Sequence, residues 1–483
     1  MKNKLLKIIT ICLLAFINNI NAQVKLWGMT QNGGTFGNGV IYNTDANGQN
    51  FQVIVNFSGT TGSYLGANPL GSLMKASNGK LYGLTRKGGT NDKGTIFSYD
   101  ISNSTFTTLY NFNSTSTAPS EPMGGFTEIN NVLYATTSIG GTGGSGTLFS
   151  YDLSTNTFST LINFSGTSLP YYGSTPSGVT LLYASNGLLY GTTAFSGLNN
   201  SGTLFSFNPT NSAYSTLVNF NGTTSGGTPY GGVIELNNKL YGTTNFGGTN
   251  NFGTIFSVDM STGTHSVLAS FTGSVGLNIG AKAKNSLTYA NGLLYGTAAN
   301  TGPSGDYGVV FSFDPSTNTY SNVVNFNGTN GRNPYGNLLY ASNGNLYGMT
   351  YSGGSSSSGT LFEYNLVTNT HSVLTNFNNT NGGNPAYTGL IEVDPNIGTT
   401  LNENRYNENF KISPNPANQS INIQGVNFNE GIQVKIISID GKILKDEMTQ
   451  QSVINISDLN TGMYFIELTD KEGKTGVTKL IKE

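Results

Sequence analysis

Few residues in this 483-residue chain are of the types that chemistry at a site demands. His265 and His371 are the only histidines and Cys12 is the only cysteine. A general base or a metal centre needs such groups to converge with others. Both histidines, however, precede an "SVL" run at positions filled by Phe106, Phe158, Tyr214 and Tyr320 in corresponding segments. A slot shared with aromatic residues reads as packing. Asp100, Asp152, Asp259 and Asp314 recur after "FSYD", "FSVD" or "FSFD" runs, with Asn208 and Asn365 in the same place. Short Asx side chains there cap the backbone donors of the following turn. The acids that remain are sparse: Asp45, Asp92, Glu121, Glu128, Asp306 and a few more. HExxH, GxSxG and Asp-rich calcium spacings are missing. No catalytic residue, metal ligand or cofactor is assigned.

The glycine-rich middle of "LYGTTNFGGTNNFGTIFSVD" (240–259) poses a second question, because such a loop can cradle a phosphate. A cradle sits between a strand and a helix and is used once. Here related segments begin at Leu26, Leu81, Leu133, Leu189, Leu240, Leu294 and Leu346, 51 to 56 residues apart, and no helical spacing follows. The loop is therefore expected to be a turn between two strands.

A period near fifty indicates a propeller blade or another repeat array. The fifth unit carries four strand candidates, "GGVIEL", "LYGTT", "GTIFSVD" and "HSVLASF", separated by Gly/Asn/Thr-rich turns. The expected fold is all-β: a seven-bladed β-propeller of four-stranded antiparallel blades, followed by a small β-sandwich domain. The first copy lacks a leading strand and the last is followed by an extra one, "TGLIEVD" (388–394). That strand is expected to complete the first blade and close the ring.

The ends divide the chain further. Lys2, Lys4 and Lys7, an apolar run from Ile8 to Phe16 and the small Ala22 read as a signal peptide over 1–22. Lipidation at Cys12 is not expected, because Ile11 precedes it and cleavage there would leave almost no apolar run. Cleavage after Ala22 would take the net charge from −2 to −5. No basic cluster suggests nucleic acid, and no other run is apolar enough for a transmembrane segment. The expected layout is a propeller over 23–395, a linker over 396–409, and a more densely charged domain over 410–483.

Binding residues are expected in the loops that vary between copies. The glycine loops and the inter-blade loops should emerge on one face. Tyr351 varies in the first, while Tyr64, Tyr171, Tyr230, Tyr335 and Tyr387, with Arg332 nearby, mark the second. Aromatic rings among Asn, Ser and Thr can stack on a pyranose while amides and hydroxyls bond its hydroxyls. The same rings can instead pack the loops down. Glu128, Glu235 and Glu392 share one slot with Lys75, Tyr183, Tyr289 and Tyr340, which edges a central channel or faces solvent.

The copies of "LYGTT", "GTLFSYD" and "NPYGGL" resemble the GloVer-type bacterial tandem repeats from Leu26 to about Asp394. That resemblance implies no catalytic residue. The tail, "FKISPNPANQSINIQG", "VKIISIDGKIL", "INISDLNTGMYFIEL" and "TKLIKE", resembles the type A sorting domain of the type IX secretion system of Bacteroidota. The matching landmarks are Pro414, Asn415 and Pro416; Asp440, Gly441 and Lys442; Gly462 and Tyr464; and Lys479 to Lys482. The resemblance implies a small β-sandwich read by the secretion machinery, and a protein that is extracellular or attached to the cell surface. The expectation is a secreted or cell-surface binding or adhesion protein whose ligand is a glycan, another extracellular polymer or a protein. The alternatives are a polysaccharide hydrolase or lyase acting on the loop face, and a purely structural coat protein.

Overall fold

The computed structural model describes residues 25–113, 115, 117–176, 180–393, 411–415, 417–426, 428–438, 443–469 and 475–482. The expected signal peptide, the linker, and the landmarks Pro416, Asp440, Gly441 and Lys442 lie outside the described residues. No α-helix occurs among them. The chain divides into two compact units, Met1–Asn396 and Ile397–Glu483.

Among the described residues the first unit holds seven antiparallel sheets, and all but the first and third pair strictly in chain order from a short inner strand to an outer one. The fifth sheet, for example, runs Ile234–Leu236, Lys239–Thr244, Thr254–Asp259 and His265–Ser270. The inner strand of the first sheet comes from the far end of the unit. Ile391–Val393 pairs with Lys25–Thr30, Trp27 standing opposite Ile391 and Lys25 opposite Val393. The third sheet has a fifth strand, Ser120–Pro122, which pairs with the far end of Val132–Ile139. The fold is all-β and propeller-like.

Packing explains the apolar middle strands. Leu81–Thr85 and Thr203–Phe207 are buried at every residue, because a neighbouring sheet covers each face. The core lies in the seams: Phe57 of the first sheet meets Phe97 and Tyr99 of the second, and Tyr82 and Ile96 meet Leu133 and Phe149 of the third. Close approach favours glycine in the "LYG" run, although the third sheet carries Ala135 there. A Cβ on Gly83 would stand 2.3 Å from the ring tip of Phe97, and one on Gly191 would stand 2.6 Å from that of Phe205. Just before that phenylalanine the third strand slips register against the outer strand, at Ile96/Phe97, Leu204/Phe205 and Val310/Phe311 alike. Such bulges increase local twist.

The second unit sets the sheet of Lys411–Ser413, Ser420–Gln424 and Val453–Asn455 beside that of Ile443–Thr449, Ile432–Ser438, Gly462–Thr469 and Thr475–Lys482. Ile421, Ile423 and Ile454 from one share a core with Val434, Ile436, Ile466 and Leu480 from the other.

Candidate binding site

The glycine loops are held by the strands around them. Asn56 Oδ1 accepts from the Thr35 N–H at 2.8 Å, Asn111 from Thr90 at 2.9 Å, and Asn376 from Ser355 at 2.9 Å. Each of these asparagines ends an outer strand, so the repeated "NF" dipeptide and the glycine loop form one latch. Gly33 and Gly34 adopt φ of 83° and 75°, which suits a tight turn. Every backbone donor named here is engaged within the protein.

The inter-sheet loops emerge on the same face and are stitched to the glycine loops by bridges such as Ala67 with Lys87, Gly227 with Phe246 and Arg332 with Ser352. Each loop then turns inward at a residue of positive φ. This residue is Asn68, Glu121, Thr175, Thr228, Lys282, Asn333 or Asn384, with φ between 50° and 57°. Asn68, Asn333 and Asn384 donate Nδ2 to carbonyls of the preceding sheet, those of Gln31, Ala299 and Tyr351. Asparagine tolerates this left-handed conformation better than most residues.

Beyond that turn three tyrosines and a lysine meet. The rings of Tyr335 and Tyr387 stack at 5.8 Å and 10°, and Tyr387 lies 6.4 Å from Tyr230. Tyr351 leans on Tyr335 at 5.4 Å, and Phe195 meets Tyr230 edge-on at 6.1 Å. Lys284 Nζ stands 4.5 Å from the centre of Tyr335, 5.7 Å from that of Tyr230 and 5.9 Å from that of Tyr387, inside the range of cation–π attraction. It also donates to the Tyr387 hydroxyl at 3.5 Å. Tyr230 leads into the fifth sheet, Lys284 into the sixth, Tyr335 into the seventh and Tyr387 into the first. Loops leading into four different sheets thus contribute to one cluster. All four side chains are half-buried.

Burial sets the electrostatics. It raises the phenols of Tyr230 and Tyr335, and raises Tyr387 further with the neighbouring Tyr230 and Tyr335, so the rings are neutral donors. Burial, then the charge of Lys282, lowers the ammonium of Lys284. Among the described residues no carboxylate stands within ion-pair distance of it. The nearby acids are otherwise engaged. Glu121 accepts from Arg86 at 2.9 Å and from Lys87 at 2.6 Å. Burial alone would raise its carboxyl, but the Lys87 hydrogen bond and both cations hold it below the usual range. Asp306 accepts from the Thr301 N–H at 2.9 Å and from Asn300.

Of the loop residues singled out by sequence, Tyr230, Tyr335, Tyr351 and Tyr387 come together. Tyr64 instead lies edge-on to Phe106 at 5.5 Å, and Tyr171 to Tyr214 at 5.3 Å, each against an outer-strand ring of the sheet its loop leads into. Arg332 lies over Tyr307 at 5.5 Å. Sequence reasoning missed Lys284. The available signal was register: Tyr230 and Tyr335 directly follow Pro229 and Pro334, and Lys284 follows Ala283 at the same place. Tyr64 and Tyr171 come before their prolines.

Other candidates resolve into the framework. His265 lies against Phe256 and Phe220, and His371 against Phe362 and Phe326. The Glu slot clasps the neighbouring sheet's turn: Glu128 accepts from Ser77 N–H at 2.8 Å, Glu235 from Ser185 at 2.7 Å and Glu392 from Ser342 at 2.9 Å. No group of three metal-ligating side chains occurs among the described residues. In the second unit Asn415 Oδ1 accepts from the Ile481 N–H at 2.8 Å, which joins the first and last landmarks of the tail. Pro414 is exposed beside it, and Lys479 pairs through its backbone with Phe465. Lys482 is buried, Gly462 opens its strand, and the Tyr464 hydroxyl donates to the Asn460 carbonyl at 2.8 Å.

Comparison with known proteins places both units. The Gloeobacter/Verrucomicrobia repeat matches residues 18–180 and 175–413, and the secretion system C-terminal sorting domain matches 411–483. Among solved structures, a proposed 6-phosphogluconolactonase from Bacteroides uniformis is 14% identical with a TM-score of 0.51, covering 77% of this chain and 99% of that one. One from Bacteroides fragilis has the same identity and coverage with a TM-score of 0.50. The extracellular domain of a proposed hybrid two-component system from B. thetaiotaomicron is 11% identical with a TM-score of 0.45, covering 95% of this chain. The chain spans 55% of that protein's length. No curated protein matches the sequence.

Proposed function

Because the chain belongs to the Gloeobacter/Verrucomicrobia repeat family and ends in a type IX sorting domain, we propose that it is a surface or extracellular binding protein. The sorting domain directs it across the outer membrane to the cell surface or the extracellular space. On this reading 1–22 is a leader, 23–395 is a seven-bladed ring, 396–409 is a linker and 410–483 is the part the secretion machinery handles. The ligand is a glycan or another extracellular polymer, and the protein is not an enzyme.

One observation carries the proposal: Tyr230, Tyr335 and Tyr387, from three different inter-sheet loops, bring half-exposed rings together. Neutral rings suit the apolar face of a pyranose, and their hydroxyls can bond its polar edge. A hydrolase or lyase would need an acid pair or a free histidine, whereas Glu121 is bound to two cations and both histidines lie against phenylalanines. The lactonase neighbours share only the fold. The test is a glycan array probed with the full chain and with a Tyr230→Ala, Tyr335→Ala variant. Binding lost in the variant is expected; binding kept by it would move the site elsewhere, and a blank array would end the glycan reading.

A further inference from the structure

We infer that the tyrosine cluster takes a carboxylate-bearing sugar, a linear polyuronate, and that Lys284 supplies the counter-charge. The inference rests on the glycan reading above and specifies its ligand class.

Lys284 is an unusual occupant of its slot. Corresponding positions in the other loops hold Leu70, Met123, Ser177, Tyr230, Tyr335 and Ala386, none of them charged. The lysine instead brings a cation into a half-buried cage of three rings, where cation–π attraction offsets part of its lost hydration. Its nearest charged company is cationic. Lys282 lies two residues away, and Arg332 stands in the next inter-sheet loop. Both face Asp306, which already accepts from Thr301 and Asn300. The sixth and seventh loops thus hold three cations against one engaged acid. Rings that can stack on a sugar surround a cation with no carboxylate of its own. A ligand that brings both a pyranose face and a carboxylate satisfies both features. A neutral glycan would use the rings alone and leave Lys284 uncompensated.

Uronate chains are the simplest such ligands, because each residue carries one carboxylate, and methyl esterification removes the charge while keeping the ring. The experiment measures binding of the full chain, by calorimetry, to hexamers of galacturonate, mannuronate and glucuronate, each beside its methyl ester. At least one free acid is expected to bind tenfold or more tightly than its ester, with the gap narrowing between 50 and 500 mM salt. Lys284→Met keeps the length of the stem and loses the charge; it should remove most of that preference while the thermal midpoint stays near the parent's. Lys284→Arg should retain binding within about threefold, since the charge is what is used. Equal affinity for acid and ester, or an unchanged preference in Lys284→Met, overturns the carboxylate inference while binding of neutral sugars keeps the glycan reading. If no acid and no ester binds, the inference fails, and a blank glycan array alongside would bring the glycan reading down with it.

Discussion

Two kinds of loop share one face of the repeat unit and have fared differently. The glycine loops keep most of their glycines and their length within narrow limits, and in most sheets a side-chain latch from the outer strand. The inter-sheet loops keep only their inward turn at positive φ. Two residues after that turn stand Leu70, Met123, Ser177, Tyr230, Lys284, Tyr335 and Ala386, with Tyr387 one place further on. The first kind is bound up in the fold: the Asn111 side chain holds the Thr90 N–H and leaves no room for a Cβ on Gly89. The second kind is held by backbone bonds, such as Asn333 N–H to the Tyr307 carbonyl at 2.8 Å, so its tip residue can change without loosening the loop. Repetition marks what each sheet needs; variation after a recurring turn marks what the ring as a whole can present.

The largest test of that contrast lies in the framework. Gly83→Val would set side-chain atoms against a Phe97 ring that already leaves no space for a Cβ. Overpacking of this kind costs about 1–3 kcal/mol and occasionally more, and the variant should melt below the parent or fail to accumulate. Gly83→Ala should be milder, because Ala135 occupies the same place in the third sheet. A Gly83→Val protein that melts with the parent would remove the close-approach argument for the whole "LYG" series.

Asn111→Ala probes the latch itself. Losing one partly exposed acceptor leaves the Thr90 N–H to water and should cost about 1 kcal/mol. Sugar binding should be untouched, because the latch lies in the second sheet, away from the tyrosine cluster. Loss of binding in Asn111→Ala equal to that in the Tyr230, Tyr335 variant would erase the distinction between the two loops.

Most of the framework is legible in the residues alone. The period, the strand types and the aromatic slots follow from alternation and from comparing copies within one chain, because each sheet is built from local neighbours. The cluster is legible only in part. Tyr230, Tyr335 and Tyr387 stand out by type and place, but Tyr64 and Tyr171 look equivalent to them and are not. What separates them is position relative to the inward turn, and that turn is a backbone feature no residue type declares, since Glu121, Thr228 and Lys282 adopt it as well as Asn. Lys284 is hidden because its partners are far away in sequence and meet it only in the folded unit. The fifth strand of the third sheet is likewise unreadable: "SEP" has no strand pattern and pairs because Val132–Ile139 extends past its neighbours.

Variation alone does not make a site, and the histidines sharpen the comparison at its small end. His371 replaces a phenylalanine or tyrosine in a packing slot, and burial pushes its imidazole down to about 4; burial lowers His265 as well. An unfolded histidine titrates near 6.5. Above that value the ring is neutral in both states and its packing contribution is whole. As the pH falls from about 6.5 to 4, the unfolded chain takes up a proton that the native ring refuses, so stability is lost across that window. The imidazole is only partly buried, so the loss is about 1 kcal/mol at most. His371→Phe restores the residue type of the other copies and removes the proton. Its thermal midpoint should match the parent's near pH 7.5 and exceed it increasingly toward pH 4.5. The carboxylates, Asp100 and Asp314 among them with their carboxyls held below the usual range by hydrogen bonds, are common to both proteins and cancel in the difference. Midpoints that stay parallel across the range would mean that the His371 imidazole takes up its proton in place, and that the slot is not the dry packing position its neighbours indicate.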